Sequence, residues 1–573
     1  MMRYLVFIIS ILLMAACNSR VEKPEEPIDY AALRLDSLNK VKTARFADAR
    51  ISAADLIREV IENRQPGDRF RALDVDLYSS VLLPGHYIDR SFMPMWISHP
   101  DSLGKVQQML RFIEGAEFHG LIPGQYHLAK ISGLYDEIRK DSSLIFNRNY
   151  LANIDLLLSD AYFILASHLY HGKIDPESLE ALWGIRRNKA VLPFEVHLKE
   201  ILSSGSIENG FRNFYPPHPG YEAMVKEARK LHQMQEGDFS VKINPKMLSV
   251  KPGDSADYIA DIKKKLEFLG LYQTDTLDNI YKYDEKAVDG IKKLQELFGY
   301  NTDGAIGKNT LKALNMPVKE RISQLYVNME RMRWMPDSLE PLYVMVNIAD
   351  FTLGAFRGSD TLITMRTIVG KNYRETPVFN SKITYLVMSP SWTVPPTIQR
   401  KDIIPEVSKS VGYLAGKNMK VFDSKGKSID PSTVNWRRDG MRYTIRQAPG
   451  ASNALGKVKF MFPNKHNVYL HDTPTRELFK RDERTFSSGC IRIEKPFELA
   501  QLLMADMPDW TPERIRQSMN SGSERTVVLK SPVGVYIYYL TAWGGSDGKI
   551  HYRSDIYERD KEMLKVLKDK PAK

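Results

Sequence analysis

The hydrophobic pattern changes period near residue 341, and that change limits the folds open to this chain. Upstream, apolar residues recur at helical spacing. "NIDLLLSDAYFILASHLYHG" (153–172) places them three and four apart and ends in Gly172, a fitting helix C-cap. "DSLGKVQQMLRFIEGAEFHGL" (101–121) follows the same rule. Downstream, "LYVMVNIADFTLGAF" alternates and is rich in β-branched and aromatic residues. "TLITMRTIVG", "SKITYLVMSPSW", "MRYTIRQAP", "HNVYLHDT" and "CIRI" follow, with Gly, Pro and Asn between them. The class is therefore multidomain α+β, helical first and mostly β afterwards. With 573 residues there is room for about three or four domains.

The chain opens "MMRYLVFIISILLMAACNSR". Arg3 precedes an apolar run too short to span a bilayer comfortably, and small residues follow it. This predicts an export signal over 1–16 rather than a membrane helix. "LMAAC" resembles a bacterial lipoprotein signal, which implies that Cys17 is lipidated and ties the chain to a membrane surface. Asn18 is not the Asp that commonly retains lipoproteins in the inner membrane, so the implied location is the periplasm, anchored at the outer membrane. A net charge of +11 points to an acidic partner. The basic residues are spread along the chain with no aromatic-basic motif, which disfavours nucleic acid and favours an anionic wall polymer or membrane surface.

Residues 17–45, with "VEKPEEP", read as a polar tether. A helical scaffold is expected over 46–240. His168 and His171 lie on one face of its long helix, but with no third ligand they read as helix surface, and no metal or cofactor is expected. Residues 247–316 form a compact unit. Ile262, Leu266 and Leu269 line one helix, Ala287, Ile291, Leu294, Gln295 and Phe298 the next, and a third follows "TDGAIG". "LEFLG", "KKLQELFGYNTDGAIGKNT" and "ALN" resemble the small three-helix peptidoglycan-binding domain, which implies glycan as a partner. A mostly-β domain is expected over 341–515, with a Lys-, Ser- and Gly-rich loop at about 400–435 over its site. Residues 516–573 read as a C-terminal hairpin and tail.

The chain has two cysteines. If Cys17 carries lipid, Cys490 has no disulfide partner, and a lone thiol in an oxidising compartment is a candidate nucleophile. In "VYLHDTP" Tyr469 and His471 share one strand face; in "CIRI" Cys490 and Arg492 share another. If those strands are neighbours, His471 meets Cys490. An imidazole that takes the thiol proton and later returns it is what such chemistry needs. Gly489 permits unusual backbone before the nucleophile, and N–H groups there suit an oxyanion. Ser487 and Ser488 are candidates to orient His471 or to bond substrate. Arg484 and Arg492 are candidates to hold a substrate carboxylate, Arg492 equally a structural ion pair. Trp392 is a candidate for the donor groove or a packed aromatic beside Pro395 and Pro396.

The stretch "HDTPTRELFKRDERTFSSGCIRI" resembles the signature of the L,D-transpeptidases, the YkuD-type catalytic domain. The family's usual S-H-G-C has Ser488 in place of its His, as in the large periplasmic subgroup with scaffold and peptidoglycan-binding domains. "IVGKNYRETPVF", "SPSWTVPPTI", "NALGKVKFMFPN" and "YYLTAW…GKIHYRSDIY" resemble that subgroup too. The resemblance implies Cys490 as nucleophile and His471 as proton donor and acceptor. It implies a thioester formed from a stem tetrapeptide with loss of D-Ala, 3→3 cross-linking of peptidoglycan, and carbapenem acylation of Cys490. An L,D-carboxypeptidase on the same fold and a non-catalytic wall-binding lipoprotein are the alternatives. A papain-like order of Cys before His, a K-T-G box and H-E-x-x-H are all absent from the sequence.

Overall fold

The computed structural model describes residues 30–63, 68–179, 183–185, 192–203, 205–243, 250–275 and 279–569. The export signal and Cys17 lie outside the described residues. From Tyr30 the expected tether is helical: α1 (Tyr30–Glu62) has 33 residues. No Pro or Gly interrupts it, and Asp36 pairs with Lys40 one turn on at 2.7 Å. Its first turns leave Leu35, Leu38 and Val41 exposed, and from Phe46 onward its apolar face enters a core.

That core is helical, built by α1, α2 (Gly104–Glu114), α3 (Leu128–Lys140), α4 (Arg148–His171) and α5 (Phe194–Ser203). The central helix α4 is apolar nearly all round, as a helix wrapped by others must be. Two buried carboxylates on it find donors. Asp155 accepts from the Met95 and Trp96 N–H groups, and Asp160 from those of Tyr78 and Ser79. His168 bonds the Tyr126 hydroxyl at 3.0 Å.

After α6 (Tyr221–Met234), a three-helix unit forms from α7 (Tyr258–Phe268), α8 (Glu285–Leu297) and α9 (Lys308–Leu314). Asp284 caps α8 by accepting from the Ala287 N–H at 2.9 Å. Gln295 sits among the buried apolar residues because its amide holds the following turn. It donates to the Asp303 carboxylate and the Ala305 carbonyl, and accepts from the Gly304 N–H. The unit packs into one hydrophobic core with α10 (Val318–Arg333) and the sheet beyond.

The sheet is closed. The strands from residue 341 to 538, in chain order, are β1 (Leu342–Asn347), β2 (Thr352–Arg357), β3 (Asp360–Gly370), β4 (Val378–Met388), β5 (Trp392–Thr393), β6 (Met419–Phe422), β7 (Ser428–Ile429), β8 (Thr444–Gln447), β9 (Val458–Met461), β10 (Leu470–His471), β11 (Thr485–Ser487), β12 (Ile491–Ile493) and, after two helices, β13 (Arg525–Tyr538). The order β9-β10-β12-β3-β2-β1-β13-β4 closes through a β4–β9 pairing, so no edge remains open in that ring. The two helices are α11 (Pro496–Leu503) and α12 (Pro512–Met519).

Two expectations need correction. The segment 400–435 is not a bare loop. Strands β5 to β8 form a separate four-stranded sheet, order β7-β6-β8-β5, over its own core of Val394, Val407, Leu414, Val421, Trp436 and Ile445. Its apolar residues are spaced across very short elements, too short to establish a period. Nor is 516–573 only a hairpin and tail. β13 lies inside the barrel, parallel to β1 and antiparallel to β4. A parallel pairing between strands so distant in sequence leaves no local pattern. The hairpin exists further on, between β14 (Ala542–Gly544) and β15 (Ile550–Tyr552), followed by α13 (Arg559–Lys568).

Candidate active site

Strands β10 and β12 are parallel neighbours, with Leu470 opposite Ile491 and His471 opposite Arg492. The Ile491 N–H donates to the Tyr469 carbonyl at 3.2 Å. This register sets Tyr469 beside Cys490 and His471 beside Arg492, all four on one face. His471 and Cys490 are diagonal neighbours, and the Cys490 Sγ–H points to the Asn467 carbonyl at 3.8 Å rather than to the imidazole.

His471 is buried. Its Nδ1 lies 2.6 Å from the Asp472 carbonyl, which only accepts, so Nδ1 carries the proton and Nε2 keeps its lone pair. Burial first, then the charge of Arg492, lowers its pKa to about 3, against the opposing pull of the Asp472 and Leu455 carbonyls. The ring is neutral at any ordinary pH. Burial raises the Cys490 thiol above its usual range; hydrogen bonding from Tyr469 and the Arg492 charge work the other way. The Tyr469 hydroxyl is itself raised, by burial and then by Cys490. Its ring meets the His471 ring edge-on at 5.7 Å.

The Cys490 loop is tied from beneath. Gly489 has φ +111°, a conformation that a side chain would strain. The buried Ser487 hydroxyl donates to the Cys490 carbonyl at 2.5 Å and accepts from the Gly489 N–H at 3.1 Å. Ser487 therefore shapes the turn and does not orient His471. Thr376, on the connection from β3 to β4, donates its hydroxyl to the Gly489 carbonyl and accepts from the Gly370 N–H, both at 2.9 Å. A Cβ on Gly370 would fall 2.1 Å from the Arg374 carbonyl oxygen, so the connection can pass only over glycine. The Tyr557 hydroxyl donates to the Gly370 carbonyl, and Arg559 pairs with Glu375 at 2.5 Å. The C-terminal segment thus braces the loop.

Ser488 is exposed, and its hydroxyl accepts from Arg374 at 2.7 Å. The same Arg374 Nη1 donates to Asp402 of the inserted subdomain at 2.7 Å. Arg492 donates to the Thr475 hydroxyl at 3.3 Å, and among the described residues no carboxylate pairs with it. The structural ion pair considered for it is absent there. Arg484 is elsewhere. Its guanidinium donates to the carbonyls of Thr367, Arg481 and Phe351 and lies over the Phe351 ring, which leaves it no role beside the thiol. Trp392 packs against the core of the inserted subdomain.

Tyr469, Thr376 and Arg374 were not singled out from sequence. Tyr469 had a signal, its shared face with His471. The other two act through hydrogen bonds made across the fold, which no local pattern records.

Comparison with known proteins accords with this geometry. Residues 341–529 match the model of the L,D-transpeptidase catalytic domain, YkuD. Residues 82–227 match a scaffold domain, and 255–314 match the "Putative peptidoglycan binding domain". A Haemophilus influenzae protein named "Putative L,D-transpeptidase" is 34% identical over 277 residues, which is 47% of this chain and 55% of that protein. The chain thus spans about half the length of that curated relative. Solved structures with some likeness include an L,D-transpeptidase from Stackebrandtia nassauensis, at 14% identity and TM-score 0.20, covering 51% of this chain and 95% of that one. Another, from Mycobacterium smegmatis, has 14% identity and TM-score 0.17, covering 35% of this chain and 58% of that one. Residues 341–529 belong to the L,D-transpeptidase catalytic-domain family, carried in one chain with a scaffold domain and a domain of the peptidoglycan-binding family.

Proposed function

We propose that the chain is a peptidoglycan L,D-transpeptidase with Cys490 as nucleophile and His471 as base and acid. The observation that carries this reading is the four-residue face: a thiol on a glycine-shaped loop beside a neutral imidazole, a half-buried tyrosine and a cation that among the described residues pairs with no carboxylate. The thiol proton passes to His471 Nε2 as Sγ attacks the carbonyl before the terminal D-Ala of a stem tetrapeptide. The C–N bond breaks, the proton goes to the departing D-Ala amine, and a thioester remains. The side-chain amine of a second stem then attacks the thioester, loses its proton to His471, and restores the thiol in forming a 3→3 cross-link. The Gly489 N–H is engaged by Ser487, so the Cys490 N–H is the donor assigned to the oxyanion. Arg492, lacking an ion-pair partner, is assigned to a substrate carboxylate.

The inserted subdomain over residues 392–447 takes the part of a lid. Lipidation at Cys17, export to the periplasm and outer-membrane anchoring complete the reading, with wall glycan and stem peptides as partners. Carbapenems are proposed to acylate Cys490, because a strained lactam carbonyl offers the thiol the same reaction.

The test uses protein begun just after Cys17, a disaccharide-tetrapeptide and mass spectrometry, beside Cys490→Ala. A dimer short of one D-Ala, absent with the variant, supports the reading. Monomeric tripeptide alone makes the chain an L,D-carboxypeptidase. No product, with retention on sacculi, leaves a wall-binding protein.

A further inference from the structure

A cavity of about 460 Å³ opens between α2, the 205–215 segment and α6, within the size range of small-ligand sites. None of its lining residues belongs to the barrel. Phe112 gives it an apolar wall, held by stacking on Phe211 at 4.0 Å between ring centres.

Three charged side chains line it, Arg111, Arg229 and Glu208, all exposed. Arg111 makes one long bond, to the Gln107 side chain at 3.5 Å, and the Arg229 guanidinium lies over the Phe118 ring at 4.2 Å. Among the described residues neither meets a carboxylate at ion-pair distance. Glu208 meets no cation there either; Arg212, close by in the chain, is taken by Glu222 at 3.8 Å.

A fourth group is set by hydrogen bonds behind the wall. Buried Arg333, paired with Glu330 at 2.8 Å, donates to the Tyr221 hydroxyl oxygen at 2.9 Å. Tyr221 is buried too, and its own O–H finds its acceptor in His119 Nδ1 at 3.1 Å. His119 is neutral: burial first, then the charges of Arg333 and Arg229, lowers its pKa to about 3. With Nδ1 accepting, its one proton sits on Nε2, which donates to the Tyr215 hydroxyl oxygen at 3.3 Å. The Tyr215 O–H is left to donate elsewhere, and Tyr215 and His119, which share that bond, both line the cavity. Burial first, then Tyr221 and Glu208, raises the Tyr215 hydroxyl, so it keeps its proton. An arginine that is always charged thus fixes, through two tyrosines and a histidine, a donor at the cavity wall.

Two guanidinium groups without a carboxylate and a hydroxyl with a proton to give are the donor set that holds a carboxylate. Glu208, the one anionic side chain in the same lining, suits an ammonium. We propose that this cavity binds a small zwitterion of the short-peptide class, its carboxylate held by Arg111, Arg229 and the Tyr215 hydroxyl and its ammonium by Glu208. This goes beyond the transpeptidase reading and does not rest on it, since neither Cys490 nor the barrel takes part.

Calorimetric titration of the chain begun after Cys17 with trialanine, trialanine amide and N-acetyl-trialanine tests it. Trialanine is expected to bind at least tenfold more tightly than the amide, which lacks the carboxylate, and at least fivefold more tightly than the acetylated form, which lacks the ammonium. Arg111→Gln and Arg229→Gln are each expected to weaken trialanine at least fivefold, and Tyr215→Phe at least threefold. A wild-type circular dichroism spectrum and unfolding midpoint check that each variant is folded, and the two exposed arginines can be changed without disturbing a core. Equal affinity for trialanine and either capped form, binding untouched by the arginine variants or by Tyr215→Phe, or no heat from trialanine overturns the proposal, the last meaning a cavity that holds water only. Binding is read without turnover, so a failure here leaves the stem-peptide assay free to succeed, and the reverse.

Discussion

The barrel and the inserted subdomain hold the same active site by different means. The barrel side is rigid and redundant. Cys490 stands on a loop fixed by Ser487 and Thr376, and the connection beneath is braced by Tyr557 and Arg559, all through buried or part-buried hydrogen bonds. The subdomain has a small core of its own, and a single side chain, Arg374, reaches from its Asp402 to Ser488. A buried network cannot be loosened one bond at a time without cost, whereas an ion pair with a half-exposed partner contributes at most about 1 kcal/mol. The difference teaches that the Cys490 loop is held by the barrel through several bonds at once, while the subdomain, with its own core, meets it through a weaker one.

Substitutions on the two sides should therefore act differently. The largest effect is expected from His471→Gln, which removes the proposed base and should slow acylation of Cys490 by about a thousandfold or more. It should also change the pH dependence of stability. The folded His471 stays neutral down to about pH 3 while the unfolded one protonates below its ordinary value. The unfolded chain therefore binds more protons between those limits, and stability is lost as pH falls through that window. The variant should lose one proton's share of that slope, about 1.4 kcal/mol per pH unit, measured by urea unfolding at several pH values.

Gly489→Ala comes next. Forcing a side chain to φ +111° costs about 1–3 kcal/mol and should displace the thiol, with acylation slowed by about ten- to a hundredfold. On the subdomain side, Val421→Ala should destabilise only the small core, by about 1–3 kcal/mol. Hydrogen exchange should quicken in β6 and β8 and stay unchanged in β13; equal acceleration in both would erase the distinction drawn above. The smallest effect is expected from Asp402→Ala. It should leave global stability within about 1 kcal/mol and raise the rate at which iodoacetamide reaches Cys490 by a few fold. A drop in that rate would mean that the Arg374 bridge holds the thiol open rather than covered.

Much of the fold could be read from the chain because its signals are local. The buried faces of α7 and α8 contain the apolar residues their spacing assigns, and the alternation in "VYLHDTP" and "CIRI" placed the residues that share the site face. Sequence missed what depends on partners far away. Residues 400–435 are polar on average, and their few apolar side chains cohere only when β5 to β8 assemble. Arg484 and Arg492 look equivalent in the sequence, eight positions apart on the same site motif. One is consumed by backbone carbonyls and the other faces the thiol.

By itself the sequence determined the class of chain, the Cys490 thiol, the glycine before it and the histidine a strand away, because residue identity and hydrophobic period are written locally. The tertiary structure alone decided that His471 stands opposite Arg492 with Tyr469 beside Cys490, that β13 lies between β1 and β4 in the barrel, and that Arg374 bridges two parts of the site. The physical reason is that register, ring closure and the pairing of buried polar groups are set by what distant segments present to one another.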